Sequence, residues 1–491
     1  MDGQATATDT AASEGWFDTT EALIGGRWAR VKARLPVEDP STGAIVGEIA
    51  AAGADEIAAA VHAARAALGG AWGGLDAAER GRLLARIGRR VAAEADRLAR
   101  LEARDVGKPL GQARADALAL ARYLEFYGGA ADKVSGETIP FRAGYTVFTL
   151  REPHGVTGHI VPWNYPMQIV GRSVGAALTM GNAAVLKPAE EAALTCLAFA
   201  RLCREEGLPD GALNVVPGTG ATAGAALAAH PGIDHLSFTG STATGASVQA
   251  AAAANAVPVT LELGGKSPQL VFADADLSAA LPLLVRAGLQ NAGQTCSAAS
   301  RILVERSRFD EVAAAMAGAY RHLAAAPALA DGDLGPLISA RQKDVVEGYL
   351  ARGSDLEVVA EGRIAADAPD GGHFVAPRLL AGADPSHALA QEEIFGPVQL
   401  LLPFETEEEA VAIANGTPYG LVAGVWTDSG ARQMRLARRL RAGQVFLNDY
   451  GAGGGVELPF GGVGRSGHGR EKGFEALYSF SALKTVAAKH G

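Results

Sequence analysis

The segment LQNAGQTCSAASRILV, residues 289–304, sets Cys296 among small polar residues just ahead of an apolar run. The chain has only three cysteines in 491 residues, and Cys196, Cys203 and Cys296 make neither an even disulfide framework nor a metal-ligand set. No metal is expected, and free thiols fit a reducing compartment. A lone cysteine is commonly a small buried hydrophobe. Beside Thr295, Ser297 and Ala298, however, the sulfur is accessible, and a thiolate is a soft nucleophile that adds reversibly to a carbonyl carbon. The adduct's C–H can then leave as hydride. That chemistry needs a donor for the oxygen gaining charge, a base, and an acceptor for the hydride.

Three segments bear on the acceptor. PGTGATAG (217–224) follows the strand-like LNVV, but Gly218, Gly220 and Gly224 miss the G-x-G-x-x-G spacing. It reads either as a plain strand–helix turn or as a phosphate or ribose contact. FTGSTATG (238–245) is a second such junction. Free N–H groups at a helix start can hold a pyrophosphate. In AAVLKPAEE (183–191), Lys187 and Glu190 follow a strand end three residues apart. A carboxylate there can accept both hydroxyls of an adenosine ribose and would repel a 2′-phosphate. A solvated Lys–Glu pair at a helix start is the alternative.

These segments need a scaffold, and the hydropathy pattern supplies one. Residues from about 54 to 133 carry apolar positions three or four apart, which predicts helices. GETIPFRAGYTVFTLREPHGV (136–156) is β-branched and aromatic between turn residues and predicts an extended hairpin arm. From residue 156 short apolar runs (VTGHIVPW, AAVLKP, LNVVPG, HLSFTG, VTLELGG) alternate with helical stretches near 167–180, 190–206, 221–229 and 242–254. Such alternation predicts βαβ units and a parallel sheet. SPQLVFADADL (267–277) opens a second α/β block, and the tail FEALYSFSALKTVAAKH predicts a short helix and a strand.

Composition narrows the class. Hydrophobic residues at 48% and charged residues at 20% describe a globular chain rather than a disordered one. A net charge of −10, mixed along the sequence, argues against a nucleic-acid or anionic-lipid face. The polar, acidic opening MDGQATATDTAASEGWF lacks a signal-peptide pattern. No apolar run reaches the ~20 residues that span a bilayer. A cytoplasmic chain with no membrane partner is expected.

PWNYP (162–166), LKPAE (186–190), FTGS (238–241), LELGGKSP (261–268), GQTCS (293–297), EEIFGP (392–397) and PFGG (459–462) stand in one order along the chain. In that order and spacing the sequence resembles the NAD(P)-dependent aldehyde dehydrogenase superfamily from about residue 20 to the end. The resemblance implies a Rossmann-like parallel-sheet cofactor domain (1–133 with 153–264) and an α/β catalytic domain (265–464). It also implies a β-hairpin oligomerisation arm with the C-terminal segment (134–152 with 465–491), and a homodimer or homotetramer.

The resemblance also implies roles. Cys296 resembles the nucleophile, Asn164 the oxyanion donor, and Glu262 the base that activates water against the thioester. Coenzyme-A-acylating relatives typically lack that glutamate, so a free acid product is expected. Lys187 and Glu190 match adenosine-ribose contacts, Ser241 the pyrophosphate contact, and Glu393 the nicotinamide-ribose contact. Trp163, Phe395, Gly220, Gly240 and Gly245 are expected among the cofactor-binding residues of the crevice. Glu190 implies NAD over NADP. Many members carry Lys where this chain has Ser173, and Glu471 matches a glutamate suggested for the same proton relay. Arg172 matches a carboxylate-holding Arg of succinate-semialdehyde members, although benzaldehyde- and vanillin-type members also carry it; otherwise it is a helix-surface or interface Arg. Tyr165, Gln168, Thr295, Ser297, Tyr450 and Glu457 are expected at the substrate mouth, and the loop GAGGGVELPFGG is expected to move. A thiol hydrolase is the rival reading: it would share Cys296, Asn164 and Glu262 without needing Glu190 or Glu393.

Overall fold

The computed structural model describes residues 12–451 and 455–491. The first eleven residues of the polar opening and residues 452–454 of the glycine-rich loop lie outside the described residues, and so do the expectations that fall on them.

Two sheets, each with its own hydrophobic core, organise the chain. The first has eight strands. Its parallel centre runs Leu213–Val215, Ala183–Pro188, Val156–Val161, His235–Thr239, Val259–Glu262. These strands are almost wholly buried, as continuous apolar runs in a parallel sheet must be. Strand order reverses between Val156–Val161 and His235–Thr239, and a crevice forms beyond the carboxyl ends at such a switch.

Glu21–Ile24 and Arg27–Arg30 extend one edge of this sheet antiparallel. They escaped the sequence reading because short, half-exposed edge strands carry little hydropathy signal. At the other edge Gly467–His468 pairs with Val259–Glu262. The C-terminal segment is thus shared between this sheet and the arm.

The helical region 54–133 holds four helices. The long apolar pattern after residue 76 is two of them, Ala77–Ala93 and Ala95–Val106, broken at Glu94. The break lets both apolar stripes pack on Leu110–Ala130. The helix expected near residue 190 starts at Leu194, which leaves Glu190 in the turn above the sheet.

The second sheet has seven strands in the order Glu357–Glu361, Arg378–Ala381, Val398–Phe404, Arg301–Glu305, Pro268–Val271, Val422–Trp426, Gln444–Leu447. All pairs are parallel except the first. Thr138–Ile139, Tyr145–Pro153 and Ser481–Lys489 form a separate antiparallel sheet, the expected hairpin completed by the tail strand. Among the described residues no helix is long and apolar enough to cross a membrane.

Candidate active site

The crevice over the first sheet continues into a cavity of about 500 Å³ between the two sheets. Strand ends deliver its walls. Val156–Val161 leads to Trp163 and Asn164, Ala183–Pro188 to Lys187 and Glu190, His235–Thr239 to Gly240 and Ser241, and Val259–Glu262 ends on Glu262. Pro166 then starts the helix Pro166–Thr179, where its fixed φ and missing N–H do no harm.

From the opposite side comes the loop of Cys296. Asn291, Ala292 and Gly293 take φ of 51°, 54° and 75° in succession. Such consecutive left-handed residues persist only where the surroundings enforce them. A Cβ on Gly293 would lie 2.0 Å from the Gly396 carbonyl oxygen, so this turn packs against the loop bearing Glu393 and Phe395. Hydrogen bonds tie it to the first sheet as well. Asn164 Nδ2 donates to the Gln294 carbonyl at 3.0 Å, and Asn291 Nδ2 donates to the Asn164 carbonyl at 3.2 Å.

The electrostatics follow from burial. Cys296 is half-buried; burial pushes its thiol up to about 12, against the pull of Arg172, while Glu393 and Glu262 add to the rise. Glu262 is 1% exposed, and neither carboxylate oxygen has a hydrogen-bond partner among the described residues. Burial, then the Glu471 charge, holds its carboxyl well above the ordinary range. A buried acceptor left without a donor is costly unless function requires it. Glu393 accepts the Gly265 N–H at 3.0 Å, and burial raises its carboxyl to about 7.

At the far end Glu190 bonds Lys187 Nζ at 3.1 Å and takes the Gly220 N–H at 3.2 Å. Burial raises its carboxyl, but Lys187 and the backbone donors outweigh this and hold it low. Ser241 caps the helix Thr242–Ala253, whose N-terminus faces the crevice. Trp163 meets Phe395 edge-on at 5.3 Å between ring centroids.

Most expected site residues share this cavity wall, including Tyr165, Gln168, Thr295 and Ser297. Arg172 also lines the cavity, 7% exposed and paired with Glu471 Oε2 at 2.9 Å. Three positions differ. Glu457 points outward, its side chain half exposed and bonded to Arg122 at 2.5 Å. Tyr450 stands behind the wall, its hydroxyl donating to the Ser297 carbonyl. Gly245 packs under Leu263, which a Cβ would approach to 2.5 Å, so it serves helix–strand packing.

The sequence reading missed the third wall. The helix Ala340–Arg352 contributes Gln342, whose Nε2 donates to the Phe395 carbonyl at 3.0 Å. It missed also the buried Lys108, which sits 2.6 Å from Glu102, contacts Asp116 and lies 3.9 Å over the Tyr165 ring. Local spacing gives no signal for either.

A model of the aldehyde dehydrogenase family matches residues 28–486. The mitochondrial aldehyde dehydrogenase family 2 member B4 of Arabidopsis thaliana is 41% identical, covering 95% of this chain and 88% of its own. Human retinal dehydrogenase 2 is 39% identical over 96% of this chain and 92% of its own. A solved structure from Burkholderia cenocepacia, described as a candidate aldehyde dehydrogenase, is 62% identical. It superposes with a TM-score of 0.95 over 96% of this chain and all of its own. The NAD+ complex of a Bacillus cereus aldehyde dehydrogenase is 36% identical, with a TM-score of 0.94 over 99% of both chains. With the family model spanning almost its whole length, this chain belongs to the aldehyde dehydrogenase family.

Proposed function

We propose that this chain oxidises an aldehyde to the carboxylic acid with NAD, using Cys296 as nucleophile, Asn164 as oxyanion donor and Glu262 as base. The observation that carries the reading is a thiol, an amide donor and a buried carboxylate with no hydrogen-bond partner among the described residues, all lining one cavity.

The crevice suits the dinucleotide. The half-buried Glu190 carboxylate, steadied by Lys187 and Gly220, fits a ribose diol and disfavours a 2′-phosphate. Ser241 and its helix N-terminus fit the pyrophosphate, and Glu393 the second ribose. When bound, NAD supplies the hydride acceptor. In the first step Cys296 Sγ gives up its proton to solvent and bonds the carbonyl carbon, and the Asn164 amide N–H stabilises the charged oxygen. One such donor is worth ~10²–10³ in rate. Loss of hydride leaves a thioester on Cys296. Glu262 then takes a proton from water as its oxygen attacks that carbon, and the C–S bond breaks to release acid and thiolate.

Arg172 is already compensated by Glu471, so an uncharged aldehyde against Tyr165, Ile169 and Phe460 fits better than a semialdehyde carboxylate. We assign cofactor binding to the first sheet unit, catalysis to the second, and homodimer or homotetramer contacts to the three-stranded arm. Exposed Phe141, Leu150 and Leu483 on that arm support this assignment. Three free cysteines support a reducing compartment such as the cytoplasm; the Arabidopsis relative's name places that protein in mitochondria.

Cys296→Ala is expected to bind NAD normally and form no NADH from any aldehyde, in stopped-flow absorbance with calorimetric titration. NADH formation by that variant would sink the reading. Hydrolysis of an ester without nucleotide does not decide it, whereas acid formed from aldehyde without nucleotide refutes the redox assignment.

A further inference from the structure

Arg172 and Cys296 line the same cavity, the Arg172 charge pulls against the rise of the thiol, and the guanidinium is fixed from two sides. Its guanidinium lies 2.9 Å from Glu471 and 4.4 Å over the Phe460 ring. Glu471 and Phe460 are themselves bridged by backbone hydrogen bonds of 2.7 and 2.8 Å, so carboxylate and ring move as one unit. Glu471 is wholly buried and also accepts the Ser237 hydroxyl at 3.0 Å. One residue along the helix, Ser173 turns its hydroxyl onto the Ile169 carbonyl at 2.9 Å and brings no charge.

Against the Arg172 charge and the Ser297 backbone donor, Glu262, Glu393, Tyr165 and Tyr450 act on the Cys296 sulfur. Glu471, Tyr123, Glu262 and Lys472 act electrostatically on Arg172 itself. A thiolate formed among these groups faces two carboxyls and needs a compensating charge. A guanidinium supplies charge without releasing a proton.

We propose that Arg172, clamped between Glu471 and Phe460, is the fixed charge that stabilises the Cys296 thiolate, and that it is not a substrate-carboxylate clamp. The proton follows a separate route. The S–H bond breaks, its electron pair stays on sulfur, and the proton passes to solvent at the half-buried thiol, which leaves Glu262 free to act as the base in deacylation. Arg172 acts through the field it sets, and Glu471 decides how much of that field reaches the sulfur. The inference rests on the nucleophile assigned above, but its test requires neither nucleotide nor aldehyde.

The rate of alkylation of Cys296 by iodoacetamide against pH reads the thiolate directly, in the full-length protein with Cys296→Ala as background. Arg172→Met is expected to move the midpoint up by about one unit or more. Arg172→Lys should lie between it and wild type. Glu471→Gln keeps an acceptor for Ser237 but frees the cation, and should move the midpoint down. These opposite directions are the signature, since general loosening of the helix would move all variants one way. Should Arg172→Met fail to fold, by circular dichroism, the sign for Glu471→Gln decides. An unmoved or raised midpoint in Glu471→Gln overturns the proposal. So does a wild-type alkylation profile in Arg172→Met with KM raised for succinic semialdehyde and not for hexanal. Failure of the oxidation reading would appear separately, as wild-type protein that makes no NADH.

Discussion

Lys108→Met offers a quantitative test of how the substrate wall is held. Lys108, Glu102 and Asp116 are almost completely shielded from solvent, and the ammonium bonds both carboxyls. Burial pushes the Glu102 carboxyl well up despite the Lys108 charge. The other side of the cluster faces the cavity: the Tyr165 ring lies on Lys108, and Asp116 accepts Gln168 Nε2 at 2.6 Å. Methionine keeps most of the volume and removes the charge. Breaking a buried pair from one side costs about 3–5 kcal/mol, because the remaining charge is left uncompensated. That is a large share of the ~5–15 kcal/mol that holds a typical domain together. The deficit should be largest near pH 8 and shrink near pH 5, where a proton can take the ammonium's place between the two carboxyls. Denaturant midpoints at both pH values measure it. The triple variant Glu102→Leu, Lys108→Met, Asp116→Leu should recover much of the loss, as apolar replacement of buried ion clusters often does. A single-variant loss under about 1 kcal/mol, or a triple variant worse than the single, refutes the reasoning. In the single variant KM should also rise, since Tyr165 and Gln168 both lose an anchor.

Glu262→Gln should keep a burst of NADH but slow steady turnover about 10²–10⁴-fold, read by quenched flow; equal loss of burst and turnover contradicts a base-only role. Wild-type deacylation should accelerate as pH rises through the raised Glu262 value, because the ionised form is the base, and the Gln variant should lose that limb. The stability sign is opposite: a carboxyl raised on folding stabilises below its unfolded value, and that contribution fades as pH climbs through the folded one. Glu190→Ser should lower the preference for NAD over NADP in kcat/KM, since the charge opposing a 2′-phosphate is gone; an unchanged ratio removes Glu190 from specificity.

Short-range chemistry makes much of this protein legible in its sequence. Strand–turn–helix junctions such as FTGSTATG are local objects, and the chain folds them into a crevice wall as their spacing implies. Cys296 stood out because small neighbours and a following apolar strand are visible in a single window. Partners distant in the chain left no such trace. Nothing near Arg172 announces Glu471, and nothing near Lys108 announces Tyr165. Hydropathy reports that a residue prefers burial, but not which charge will meet it there. The outward turn of Glu457 toward Arg122 was equally hidden. Sequence alone determined the family's motifs and the alternation that builds the sheets, because both are written in neighbouring residues. Only the tertiary structure decided which buried charges compensate one another around the thiol, because low-dielectric pairing joins side chains that the chain itself keeps hundreds of residues apart.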